Sequence, residues 1–265
     1  MISLRSKTTK ISKATLLAAA LSLSAPLAAN ADETHAKSML KAMSDYMAAQ
    51  QMISFGYDTN LEVVTSDHQK LLFASSGTAA LSRPDKIRAT RDGGFASVEM
   101  IFDGKTLTLL GKNANLYAQA EVPGDLDHLI DELRDKFHRP VPGADLLTSN
   151  VYDVLMDGVT DIKDLGSGVI GGTECDHLAF RAKEVDWQIW IAQGESPYPC
   201  RYVITSKEVD QGPQYSVQVR DWKVGSEVAA DDFAFKNTTD AKKVEATELT
   251  DTDELPSQFS PGGNQ

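Results

Sequence analysis

Three apolar segments of strand length follow one another between residues 173 and 205, separated by short polar turns. In residues 185–191 the alternation is regular, because Val185, Trp187, Ile189 and Ile191 share one face and the intervening residues share the other. Successive side chains of a strand point to opposite faces of a sheet, so one face here is continuously apolar. The pattern predicts the centre of an antiparallel sheet. Its apolar face is either a packed core or the lining of a pocket.

The same period of two recurs along most of the chain and predicts eleven strands. They cover residues 53–63, 70–81, 86–91, 96–102, 106–111, 115–120, 159–169, 175–182, 185–193, 201–209 and 215–224. Apolar residues spaced three and four apart predict three helices, at residues 34–51, 126–137 and 144–156. We therefore predict a mainly β fold with helices (α+β), in a single domain that spans residues 32–236.

The apolar faces of three consecutive strands predict a candidate ligand-binding wall on the concave side of the sheet. This wall consists of Leu178, Phe180, Trp187, Ile189, Tyr202 and Ile204. A helical lid would face it, formed by Met43, Met47, Leu129 and Leu133. Two alternatives stay open at this stage: the helices leave a pocket, or they fill the concave side completely.

Residues 1–31 have the composition of an export signal. Four basic residues precede a short apolar stretch, and Ala29-Asn30-Ala31 forms a small-x-small cleavage site. The stretch is shorter than the roughly 20 residues that span a membrane comfortably. We expect cleavage after Ala31, a periplasmic location, and no membrane span in the mature chain.

The charge of the mature chain limits the classes of partner. Removal of residues 1–31 takes away four of the 26 Lys and Arg residues and none of the 38 Asp and Glu residues, which leaves 22 against 38 and a net charge of −16. Such an acidic surface argues against binding of nucleic acid and of anionic membrane surfaces.

Residues 237–265 are polar and acidic, and we expect this tail to be disordered.

Cys175 and Cys200 are the two cysteines of an exported chain, which makes a disulfide possible. In a meander one strand would separate them, by roughly 9.6 Å, beyond the ~7 Å Cα limit of a disulfide. A bridge would need the loop before Cys200 to fold back. The alternative is two small buried apolar residues.

Catalytic and metal-binding patterns are weak. The chain contains no nucleophile-elbow, zinc-protease or phosphate-loop motif. His128 with Asp131 and Glu132 is a poor transition-metal set, and an exposed helix face explains these residues better. We expect no catalytic residue, no metal and no cofactor, and therefore no enzyme.

A resemblance to a bacterial family rests on six short segments. They are C-D-H-L-A-F (175–180), V-D-W-Q-I-W-I (185–191), P-Y-P-C-R-Y-V-I-T (197–205), R-P-D-K-I-R (83–88), F-D-G-K-T (102–106) and P-G-A-D-L-L (142–147). The pattern resembles the predicted periplasmic proteins of domain-of-unknown-function family 2092. The resemblance implies a fold similar to that of the lipoprotein carriers LolA and LolB, a half-open antiparallel barrel of about eleven strands covered by about three helices. It implies no activity.

These observations favour a monomeric binding or carrier protein for an apolar ligand such as a lipid, an acyl chain or a lipidated peptide. The alternative is a structural or sensing protein of the envelope that binds another protein and has a solid barrel.

Overall fold

The computed structural model describes residues 25–137, 141–249, 252 and 255–256, with side chains from Asp32 onward. This part of the chain forms one twelve-stranded sheet and three α-helices. The helices are α1 (Ala25–Ala49), α2 (Leu126–Asp135) and α3 (Val151–Met156). The strands are β1 (Met52–Val64), β2 (Lys70–Ser82), β3 (Lys86–Gly93), β4 (Ser97–Phe102), β5 (Thr106–Gly111), β6 (Leu116–Glu121), β7 (Asp161–Ile170), β8 (Thr173–Arg181), β9 (Val185–Ala192), β10 (Pro199–Ser206), β11 (Gln214–Val224) and β12 (Lys242–Lys243).

The sheet is a half-open antiparallel meander. Its strand order is β12-β6-β5-β4-β3-β2-β1-β11-β10-β9-β8-β7, and the β12–β6 pair is parallel whereas the others are antiparallel. The first and last strands of this order do not pair with each other within the described residues, so the barrel stays open. The predicted fold class is confirmed, and each of the eleven predicted strands is present. The two-residue β12 is added to them.

Helix α1 lies on the concave side and packs on the end of the sheet that contains β7 and β9. Its buried face consists of Ala36, Leu40, Met43 and Met47, which follow the spacing of three and four that predicted a helix. Asp125 caps the start of helix α2, because its side chain accepts a hydrogen bond from the backbone N–H of His128. The apolar stripe of α2, Leu126, Leu129 and Leu133, is buried and belongs to the main apolar cluster.

The prediction of one continuous helix at residues 144–156 was wrong, because the segment forms two separate helical turns. A 3-10 turn covers Ala144–Leu147, and α3 begins only at Val151. Thr148 is extended and donates its hydroxyl to the carbonyl of Asp145, while the side chain of Asn150 caps α3. Local side-chain hydrogen bonds therefore end one turn and begin another within an apolar pattern that is helical throughout.

The segment after β11 differs from the predicted disordered tail over Asn237–Leu249. Asn115 donates to the carbonyl of Thr239 at 2.9 Å, and β12 pairs with β6. Upstream of this segment, Arg88 binds Asp231 with an Nε–Oδ2 distance of 2.6 Å. The chain thus follows the convex face and continues along the β6 edge before it reaches Leu249.

The predicted export signal lies largely outside the described residues, which begin at residue 25. Cleavage after Ala31 therefore stays a prediction. Among the helices that the structure describes, none is both long and apolar enough to cross a membrane.

Candidate functional site

The six residues of the predicted wall form one patch, with the pairing that the sequence required. Leu178, Ile189 and Tyr202 lie in one row across β8, β9 and β10, because Ile189 pairs with both of the others. The next row contains Phe180, Trp187 and Ile204 in the same way. Five of the six residues are buried in the main apolar cluster, and the partly buried Ile204 packs against it.

This patch is packed core, and the prediction that it lines a pocket was wrong. The Trp187 side chain is only 3% exposed; it stacks on Phe180 with ring centroids 3.8 Å apart and meets the edge of Tyr202 at 5.8 Å. Helix α1 covers this end of the sheet and contributes buried side chains to the same cluster. None of the six residues lines the large cavity found in the described part of the molecule. Of the two alternatives left open, complete filling therefore holds for this end of the sheet.

A cavity of about 740 Å³ lies over the middle of the sheet instead. Its size falls within the roughly 300–1,000 Å³ typical of small-molecule sites. The strands β1–β5 and β11 form its floor, and α2 with the following loop forms its cover. The floor side chains include Phe55, Tyr57, Leu61, Ala79, Ile87, Ala89, Val98, Met100, Leu109, Tyr215, Val217, Val219 and Trp222.

Small side chains in the centre of the floor explain why the sheet is open here. One row across β1 to β5 runs Phe55, Ala79, Ala89, Met100 and Leu109, with alanines at its middle. At the corresponding positions of β8 to β10, the sheet carries Phe, Trp, Leu and Ile. The methyl groups of Ala79 and Ala89 do not reach as far above the sheet as these larger side chains do. The space between floor and cover therefore stays empty.

Three of the four residues predicted as a lid line the cavity, namely Met47, Leu129 and Leu133, whereas Met43 is buried in the packed cluster and does not. The loop after α2, residues 141–147, was not predicted as part of the lid and contributes six residues to the cover. Its P-G-A-D-L-L segment contains Gly143 at φ 81°, a conformation that favours glycine.

An aromatic stack closes one end of the cavity. Trp222 stacks between Phe55, at 5.6 Å, and Tyr198, at 5.0 Å between ring centroids. Its indole N–H lies 3.3 Å from the hydroxyl oxygen of Tyr46 on α1. Trp222 is the tryptophan that lines the cavity, since Trp187 and Trp190 lie elsewhere on the sheet.

Polar groups converge at the other side of the cavity. The hydroxyl of Tyr57 donates to the backbone carbonyl of Thr90 at 2.7 Å, and the Tyr57 ring crosses Gly77 to do so. The neighbouring Arg91 donates from Nη2 to the carbonyl of Thr252, also at 2.7 Å. Arg91 is the one charged residue among the described residues that line the cavity.

Asp145 lies within the cover but does not line the cavity. Burial raises the pKa of Asp145 in the 3-10 turn, and the Arg134 charge offsets part of this effect. Burial also raises the pKa of the Tyr202 hydroxyl, and the charge of Asp145 adds a smaller effect in the same direction. Neither Asp145 nor Tyr202 lines the cavity.

Cys175 and Cys200 form a disulfide across the end of β9. Their Cα atoms lie 7.0 Å apart, closer than two ordinary strand spacings. The cause is a register shift between Pro199 and Arg201, which moves Cys200 out of line, and the small Ala192 lies between the two strands.

The comparison with protein families identifies this chain. The family described as "Predicted periplasmic protein (DUF2092)" matches residues 36–247, and the chain therefore belongs to that family. The periplasmic location that residues 1–31 predicted is confirmed by this match. A comparison with curated proteins found no significant match.

Three solved structures have a similar chain course at low sequence identity. An uncharacterized conserved protein from Thermus thermophilus is 10% identical, with a TM-score of 0.47, and the match covers 80% of this chain and 99% of that one. The lipoprotein LppX from Mycobacterium tuberculosis is 15% identical, with a TM-score of 0.43 and coverages of 75% and 100%. The MucA/MucB complex from Pseudomonas aeruginosa gives 13% identity, a TM-score of 0.42 and coverages of 76% and 61%.

Proposed function

We propose that this member of the predicted periplasmic family is a carrier that binds the apolar chain of a lipid, a free acyl compound or a lipidated peptide, without catalysis. The observation that carries the proposal is the cavity of about 740 Å³ with a mainly apolar lining. A packed barrel would have no such space.

The size of the cavity suits one long acyl chain. A methylene group occupies roughly the ~30 Å³ of a water molecule, so the cavity has room for on the order of twenty such groups. Burial of about twelve methylenes contributes roughly 10 kcal/mol at ~0.8 kcal/mol each. Association costs ~4–15 kcal/mol, which is comparable with this gain, so binding of one chain is reversible rather than permanent.

The composition of the cover supports exchange of ligands. Leu129, Ile130 and Leu133 come from a ten-residue helix, α2, and the loop at 141–147 lies beside it. Short elements of this kind open at a lower free energy than the central strands of a sheet. We therefore assign the entry of ligand to the side formed by α2 and its loop.

Trp222 offers a direct test, because a bromine atom on a bound chain quenches a tryptophan that it contacts. We expect a brominated fatty-acid methyl ester to quench the Trp222 fluorescence saturably. Trp222→Phe should abolish this component of quenching. Ala79→Phe, which fills the cavity floor, should abolish saturable binding, whereas Ala80→Phe on the opposite face of β2 should not. Quenching that rises linearly with ester concentration, and equally in all four proteins, would show that the cavity holds no chain.

A second candidate function, binding of another envelope protein, is favoured by the outer edge strand β7. Leu165 and Val169 are 47% and 65% exposed on this strand, which pairs only with β8 within the described residues. An exposed apolar edge is a template for strand addition by a partner. A photo-crosslinker at Val169 should then give one discrete adduct in living cells, and the same group at the exposed Val209 should not.

A further inference from the structure

We propose that the cavity selects chains with an anionic head group, which Arg91 binds at the rim while the apolar chain lies along the floor. This inference rests on the proposed function and names its ligand class: an acyl or alkyl chain that ends in a carboxylate or a phosphate. It starts from Arg91, the one charged residue in a mainly apolar lining, among the residues that the structure describes.

The position of Arg91 suits a head group rather than a chain. Arg91 lies two residues before the end of β3, and it also lines a small cleft with Phe73, Ser75 and Phe95 at that end of the sheet. A ligand bound there would leave its head at the rim. Its chain would extend over Ala89 and Ala79, towards the aromatic stack at Trp222.

The charge of Arg91 is not neutralised by a carboxylate of the described residues. Its hydrogen bond goes to the neutral carbonyl of Thr252, and no described Asp or Glu lies within ion-pair distance. By contrast, Arg88 on the other face of β3 binds both Glu99 and Asp231. A guanidinium has five N–H donors in a planar fork, which matches a carboxylate or phosphate with two hydrogen bonds.

Neighbouring groups add to the site. The Tyr57 ring lies across Gly77, where a Cβ atom would come within 2.6 Å of the ring, and its hydroxyl is fixed on the Thr90 carbonyl. This arrangement needs a glycine at position 77. It places a hydroxyl oxygen on the same row of the sheet as Arg91, next to the expected head group.

The net negative charge of the protein does not favour an anionic ligand, so the preference for an anionic head group must come from residues at the cavity. Residues 32–265 carry a net charge of −16, so long-range attraction does not draw an anion to this protein. Screening over a Debye length of about 8 Å at physiological salt removes most of this repulsion at the cavity. The selectivity therefore depends on Arg91 itself.

The test compares matched ligands that differ only in the head. Dodecanoic acid, its methyl ester and dodecyl phosphate displace a neutral fluorescent probe from the protein, at a pH where the acid is ionised. We expect the wild type to bind at least one anion roughly tenfold or more tightly than the ester. The tighter of the two anions identifies the head group.

Three variants assign the preference to Arg91. Arg91→Gln should reduce the affinity for the anion to that for the ester and leave the ester unchanged. Arg91→Lys should retain part of the preference, and Lys86→Gln, on the same strand and away from the cavity lining, should retain all of it. Circular dichroism confirms that each variant is folded.

The other outcomes separate this inference from the proposed function. Equal binding of acid, phosphate and ester by the wild type overturns the inference and leaves the carrier function standing. Equal weakening of all three ligands by Arg91→Gln also overturns it, because Arg91 then only holds the Thr252 segment. A wild type that displaces the probe with none of the three ligands contradicts the carrier function itself.

Discussion

Trp187 and Trp222 both lie on strands that face the helices, yet only Trp222 lines the cavity. Trp187 stacks on Phe180 and is almost fully buried, whereas Trp222 is half-buried at the end of an open space. The difference arises from their neighbours. Phe180 and Tyr202 fill the space around Trp187, and alanines lie in the middle of the floor beyond Trp222.

Substitution of Trp187 should therefore affect stability and not binding. Trp187→Ala removes a large side chain from a packed site, and we expect the free energy of unfolding to fall by ~3–5 kcal/mol. Ligand affinity should not change while the protein is folded. Chemical denaturation and the probe titration measure the two quantities.

Trp190→Ala is the matched control, because Trp190 lies on the opposite, half-buried face of β9. It should cost less stability than Trp187→Ala. Loss of ligand binding in Trp187→Ala at unchanged stability would mean that the β8–β10 patch lines the site after all.

At the scale of elements, two features depart from the regular meander. A register shift in the interior strand β10 brings Cys200 within reach of Cys175 across the end of β9. At one edge of the sheet, β12 adds a parallel pair to β6, and the backbone N–H groups of Lys242 and Val244 donate to the carbonyls of Asn115 and Tyr117. Both features join segments that are distant in the chain.

The β12 pairing gives a prediction that separates an ordered segment from a disordered tail. The amide protons of Lys242 and Val244 should exchange with solvent more slowly than those of an unstructured peptide, because both are hydrogen-bonded to the sheet. Hydrogen-exchange mass spectrometry over residues 237–249 measures this. Asn115→Ala removes two side-chain bonds to Thr239 and should speed the exchange.

The exchange of residues 106–111 in β5 is the internal reference, since this strand pairs on both sides. Exchange at the unstructured rate in residues 237–249 of the wild type would restore the predicted disordered tail.

At the scale of the whole molecule, the sheet has two unequal parts. Helix α1 packs on the part that contains β7 and β9, and the cavity lies over the strands from β11 to β5, under α2 and its loop. If the cavity binds a ligand as proposed, the packed patch of β8 to β10 lies outside it and keeps its contacts.

Removal of the export signal should leave the folded part of the molecule unchanged. Cleavage after Ala31 would leave Asp32 as the first residue and remove the first seven residues of α1, which begins at Ala25. The buried face of α1 from Ala36 onward would be retained, so the processed protein should unfold at the same denaturant concentration as the full chain. Intact-mass measurement on periplasmic protein checks the site, and a full-length, membrane-retained product would contradict it.

The sequence by itself determined the strands, their faces and the pairing that brings Leu178, Trp187 and Tyr202 into one apolar patch. These properties depend on a period of two within each strand and on pairing between consecutive strands, which are local. It did not determine the position of the cavity, because apolar patterns are the same for a filled and an open concave face. The small side chains of Ala79 and Ala89 were the sequence feature that could have indicated the cavity. They do so only once the two residues are known to pair across β2 and β3.

The tertiary structure decided which part of the sheet each helix covers. Helix α1 is distant in sequence from β7 and β9, and no local pattern records that it packs there rather than over β1 to β3. The Arg91 site has the same origin: β3, the Tyr57 ring and the segment at Thr252 meet only when the chain is folded. Such contacts depend on long-range packing, which is set by the volumes of all the interior side chains.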